Sequence, residues 1–250
     1  MKDNFSKQSS AYAQFRPHYP DDMLSYIVSF ARNKTVALDI ATGNGQVAVK
    51  LAKHFQEVFA TDISAKQLEN ATGVANIVYK LESAEHTNFK EAEFDLITVA
   101  QAVHWFQFDI FYKEIYRILK PNGVFAVMGY GLFSTNSDSD KILMEYYHNI
   151  VGSYWDSERK YLDENYQTIP FPFDEIETKK FSNTFEWTFE QLIGYLGTWS
   201  ATQHYKDKNL QNPIDLIYKD LKISWEKGDK QVHFPLLLRM GTLKKTILNA

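Results

Sequence analysis

Asp39, Gly43 and Gly45 fall within the run VALDIATGNGQVAVKLA (36–52), in which an apolar stretch leads to an acid, two glycines and a second apolar stretch. Glycines at a strand-to-helix bend let a ligand approach the backbone closely, and the free N–H groups that open the helix favour a negative group. Gly43, Gly45 and Ala48 satisfy G-x-G-x-x-A, the spacing of a dinucleotide turn. Asp39, four residues ahead of Gly43, argues against a pyrophosphate at that bend. A carboxylate repels phosphate oxygens, whereas it attracts an ammonium or a sulfonium. The chemistry therefore points to a partly cationic ligand.

S-adenosylmethionine fits that description, with its amino acid end, its sulfonium and a nucleoside without phosphates. LDIATGNG resembles the first motif of the class I S-adenosylmethionine-dependent methyltransferases, with Ala41 where glycine is commonest. In ATDIS, Asp62 ends the next apolar run, where a carboxylate can accept hydrogen bonds from both ribose hydroxyls, and Ile63 follows to pack on the adenine face. The resemblance also implies that Ser83, Ala84 and Glu85 in LESAEHTNF serve the adenine, Glu85 through its amino group. In VAQAVHWF it implies that Ala100 and Gln101 contact the methionine end, while His104 and Trp105 border the reacting methyl. FSKQSSAYAQFRPHYP (5–20) and GYLGTWSATQHY (194–205) resemble signatures of the trans-aconitate methyltransferase-like branch.

The acceptor side is read from the same two stretches. Rings, one arginine and two prolines in YAQFRPHYP suit a segment folded across the cofactor mouth. Tyr12 is expected to hydrogen-bond the methionine carboxylate, and Arg16 to clamp a substrate carboxylate through its planar fork. Trp199, His204 and Tyr205 are expected to close the opposite wall. A carboxylate acceptor is already ionised at neutral pH and needs no base; for a phenol or an amine, His104 or His204 becomes the candidate base. The alternatives are a nicotinamide-dependent oxidoreductase using the same glycine turn and a non-catalytic S-adenosylmethionine-binding protein.

These residues need a scaffold that gathers strand ends. Runs at 35–40, 57–63, 75–81, 94–100 and 123–130 read as strands. The helical spacing of Phe108, Phe111, Ile115 and Ile118 stops at LKPNG. Strands alternating with helices give an α/β fold with a mostly parallel sheet. The resemblance makes it a Rossmann-like seven-stranded sheet with an antiparallel late strand and a small helical cap. Extended segments at 173–187 and 231–246 supply the late pairing. The expected division is a lid and first helix (1–33), a cofactor-binding core (34–130) and a substrate-side cap with the late strands (131–250), forming one compact unit. The cap is where rings concentrate: residues 146–205 hold 15 aromatics in 60 positions, against 15% for the whole chain.

A net charge of −4, with scattered lysines and arginines, disfavours a nucleic-acid partner. The absence of cysteine removes disulfides and thiolate metal sites, and the seven histidines show no metal-ligand spacing, so no metal is expected. With no apolar run long enough to span a bilayer, a cytoplasmic protein acting on a small molecule is expected, without a membrane partner.

Overall fold

A strand sends successive side chains to opposite faces. In the computed structural model, which describes residues 16–244, this alternation divides the apolar residues between two layers. Helix α1 (Asp21–Ser29) is followed by β1 (Val36–Ile40), α2 (Gln46–Leu51), β2 (Glu57–Asp62), α3 (Ala65–Glu69), β3 (Ile77–Leu81), β4 (Phe94–Ala100), α4 (Phe108–Ile118) and β5 (Leu119–Tyr130). The cap follows with α5 (Ser137–Glu145) and α6 (Lys160–Asp163), the strands β6 (Asp174–Ile176) and β7 (Phe181–Glu186), and the helices α7 (Phe189–Gly197), α8 (Ser200–Asn209) and α9 (Tyr218–Lys227). The last strand, β8 (Gln231–Thr242), returns to the sheet.

The sheet order is β3-β2-β1-β4-β5-β8-β6, with β7 also paired to β8. Strands β1 to β5 are parallel. β8 runs antiparallel to β5, and its outer edge carries β7 along one half and β6 along the other. The expected seven strands are thus eight, because two short strands share one edge position. β5 also starts earlier than the glycine at 123 suggests. Leu119 pairs with Phe94, the register then shifts, and Val124 pairs with Leu96. Pro121 lies in that irregular stretch, where a residue without an N–H does least harm to a ladder.

On one face Ala37, Val58, Ala60, Leu96 and Ala126 pack under α1, α2 and the rings of the cap, including Tyr146, Trp199, Trp225 and Phe234. On the other, Leu38, Ile40, Ile97, Val99 and Phe125 pack under Phe111, Ile115 and Ile118 of α4 and under Leu162 and Tyr166. Among the described residues no helix is long and apolar enough to cross a membrane.

Candidate active site

β2 and β3 lie to one side of β1, and β4 and β5 to the other, so the connections leaving β1 and β4 diverge at their carboxyl ends. Ligands of open α/β sheets bind at such a switch point. A cleft of about 880 Å³ opens there. It is lined by Asp39, Ala41, Thr42 and Gly43 after β1, by Asp62, Ile63 and Ser64 after β2, by Ala100, Gln101 and Trp105 after β4, and by Tyr130 ending β5. Arg16, Pro17 and Tyr19, which precede α1, complete the wall.

Asp39 pairs in register with Thr98, and the two side chains meet on the buried face. Its Oδ1 accepts from Thr98 Oγ1 at 2.7 Å and its Oδ2 from Thr42 Oγ1 at 2.6 Å. Burial raises the Asp39 carboxyl from 3.8 to about 6, against the opposing pull of those two hydroxyls. The site is therefore a negative group held in little water, which a cation on a ligand would relieve. Asp62 Oδ2 accepts from the Gly43 N–H and Oδ1 from the Ser64 N–H, both at 2.9 Å, so the second acid fixes the glycine turn.

The turn itself runs through left-handed backbone. Gly43 has φ 59° and Gly45 φ 87°, and a Cβ on Gly45 would run into the Tyr79 ring. Gly43 faces the cleft, while Gly45 packs behind it. Ala41 adopts φ 54°, a conformation that suits glycine better. Gln101, at φ 54°, ties the tips of β4 and β5: its Oε1 accepts from the Tyr130 N–H at 2.8 Å.

A second cavity, of about 450 Å³, adjoins the first across Arg16, Gln101 and Trp105. His104, Trp155, Asp156, Arg159, Leu162, Trp199 and Ser200 form the rest of its wall. Arg16 Nη1 donates to Tyr130 Oη at 2.9 Å and Nη2 to the Thr198 carbonyl at 3.2 Å. His104 is buried, its Nδ1 lies 3.1 Å from Tyr166 Oη, and burial, reinforced by the charges of Arg159 and Arg16, pushes its imidazolium down to about 3. A ring with that pKa is neutral at physiological pH and a weak proton acceptor.

Most residues singled out in the sequence come together here; some do not. Ser83, Ala84 and Glu85 lie outside the wall of the cleft. The Glu85 carboxylate is buried and engaged, accepting from Ser83 Oγ at 3.0 Å and from the Gln107 N–H at 3.3 Å, so it steadies the start of α4. His204 and Tyr205 line neither cavity; His204 Nδ1 bonds the Tyr154 carbonyl at 2.9 Å, and Tyr205 packs on the Tyr154 ring. Tyr12 lies outside the described residues. Arg159, Asp156 and Trp155 were missed, because they arrive from a short turn of the cap that carries no periodicity. The density of rings in that segment was the one available signal. Among the described residues no group of three or more His, Asp or Glu side chains is placed to hold a metal ion.

The cleft's donor set suits S-adenosylmethionine. Two carboxylates beside the turn at Gly43, where no side chain blocks approach, match an ammonium, a sulfonium and a ribose diol, and among the described residues the cleft wall holds no lysine. Comparisons with known proteins agree with this chemistry. A family profile described as a methyltransferase domain matches residues 38–127. A Dictyostelium discoideum protein classed as a methyltransferase is 39% identical over 245 residues, 94% of this chain and 93% of that one. The solved structure of a protein assigned to the type II methyltransferases, from Anaeromyxobacter dehalogenans, superposes with a TM-score of 0.83 at 32% identity, covering 91% of this chain and 98% of that one. A Haemonchus contortus phosphoethanolamine N-methyltransferase, solved with S-adenosylhomocysteine, shares the fold at a TM-score of 0.50 and 20% identity, over 96% of this chain and 58% of its own.

Proposed function

This chain belongs to the class I S-adenosylmethionine-dependent methyltransferases, and from that footing we propose that it methylates a small-molecule acid, with a carboxylate oxygen as the acceptor atom. The carrying observation is the second cavity. Arg16 and Arg159 bring two fixed positive charges to it against the one carboxylate of Asp156, while His104 is held neutral, so its wall suits an acceptor that arrives already ionised. The resemblance of 5–20 and 194–205 to the trans-aconitate methyltransferase-like branch favours the same class of acceptor, although such signatures mark relatives more than substrates.

In this reading Asp39 attracts the cationic methionine end, Asp62 accepts from the ribose hydroxyls, Ile63 covers the adenine, and Ala100 and Gln101 bound the methionine chain. When bound, S-adenosylmethionine would supply an activated methyl group to the acceptor oxygen, its sulfur keeping the electron pair of the carbon–sulfur bond. Trp105 and Gln101, shared by both cavities, align the acceptor and exclude water, which is the larger part of the protein's work.

The test is methyl transfer from labelled cofactor to a panel of organic acids, phenols and amines. Esters formed from acids are expected, with turnover largely kept in a His104→Asn variant. Transfer confined to phenols or amines, abolished by that substitution, would replace the carboxylate reading. Cofactor binding with no transfer to any class would favour a non-catalytic binding protein.

A further inference from the structure

The residues of the second cavity that no motif explains sit on one turn. Asp156 precedes the single helical turn Ser157–Arg159, and the Arg159 N–H closes it on the Asp156 carbonyl at 3.0 Å. Both side chains reach the cavity wall. Arg159 is held from behind: Nε donates to Tyr147 Oη at 2.7 Å and lies 3.2 Å from Asp163 Oδ1, and the guanidinium rests 4.7 Å from the centre of the Trp155 ring. Its Nη1 and Nη2 carry no hydrogen bond among the described residues, which leaves the outer fork open to an anion.

Asp156 is the complementary half. Its Oδ2 is buried and has no hydrogen-bond partner among the described residues. His204 Nδ1 lies 3.9 Å away, beyond hydrogen-bonding reach. That nitrogen is 2.9 Å from the Tyr154 carbonyl, which only accepts, so its proton is directed there. With Oδ2 turned inward and no side-chain hydrogen bond among the described residues to steady the group, the partly exposed remainder of the Asp156 carboxylate faces the cavity, where a donor from a ligand would satisfy it.

We infer that this turn selects an acceptor bearing a hydrogen-bond donor, a hydroxyl or an ammonium, beside an anionic group: the cavity-facing side of the Asp156 carboxylate takes the donor and the outer fork of Arg159 takes the anion. A hydroxy acid or an amino acid meets both demands, and an unsubstituted acid meets only one. Asp156 thereby acts as the specificity-determining residue. The inference rests on the reading of the second cavity as the acceptor's.

Calorimetric titration of the full chain saturated with S-adenosylhomocysteine tests it. The probes are glutarate, 2-hydroxyglutarate and glutamate, with the same three substitution patterns on four- and six-carbon monoacids and diacids. At least one hydroxyl- or amino-bearing acid is expected to bind about tenfold or more tighter than its unsubstituted counterpart. Asp156→Ala is expected to erase that difference, and Arg159→Gln to weaken all the acids together, with S-adenosylhomocysteine affinity unchanged in both. Equal binding of substituted and unsubstituted acids by the wild-type chain, or no binding of any, overturns the inference without needing a variant. So does an Asp156→Ala protein that still discriminates. Failure of the wild-type chain to bind S-adenosylhomocysteine would instead remove the methyl-transfer reading beneath it.

Discussion

Asp39 keeps a proton to about pH 6 in the fold, against an ordinary value of 3.8, because its surroundings give the charge little solvation. Folding therefore takes up a proton between those values, and the stability this site contributes falls as pH rises through them. At neutral pH the ionised group costs on the order of 1–3 kcal/mol until a cation meets it. Asp39→Asn is expected to raise the melting temperature of the ligand-free protein at pH 7, with the Thr42 and Thr98 hydroxyls reorienting, and to weaken S-adenosylmethionine binding by about tenfold or more. Scanning calorimetry and titration on one variant would read both; a variant that binds normally would detach Asp39 from the ligand. Wild-type affinity for the same compound should decline as pH drops below about 6, where the carboxyl becomes neutral. The residues legible in advance were those whose type already states a constraint: an acid ahead of glycines, an acid ending the next strand. Glu85 shows the limit, since holding a helix start and holding an adenine both call for a carboxylate in that loop.

The glycine turn behaves as an element whose shape is dictated by backbone angles. Gly45 combines φ 87° with contact against the Tyr79 ring, so Gly45→Ala should cost about 2 kcal/mol or more in denaturant unfolding. Ala41, at φ 54°, is already strained, and Ala41→Gly should gain up to about 1 kcal/mol, the added freedom of the unfolded chain offsetting part of the relief. A loss in the second case would mean that the Ala41 methyl packs too well to give up. The inner strands β1, β4 and β5 were readable from apolar runs because burial on both faces demands them. The early start of β5 was not, since pairing of Leu119 with Phe94 across an irregular register is a tertiary fact with no local mark. The short turns of the cap escaped for the same reason.

Cap and sheet share one apolar cluster, in which Trp199 and Trp225 touch the same body of side chains as Ala37 and Leu96. Of the five tryptophans, all but Trp105 lie beyond residue 150, so their fluorescence follows the cap while far-ultraviolet dichroism follows the whole. The two thermal transitions are expected to coincide, and S-adenosylhomocysteine at about 100 times its dissociation constant should add about 2.7 kcal/mol to both. A fluorescence transition at lower temperature would mean that the cap melts alone. The second cavity was the least legible part because sheet and cap build it jointly. β8 has a further consequence for biosynthesis. Among the described residues it alone joins β5 to β6 and β7, and it is the last of their strands to leave a ribosome. Until it emerges, the nascent chain presents one edge of the half-built sheet, at β5, to solvent or to a chaperone. Chains arrested with residues up to 230 outside the exit tunnel should be cut readily by protease, and chains arrested past 244 should resist.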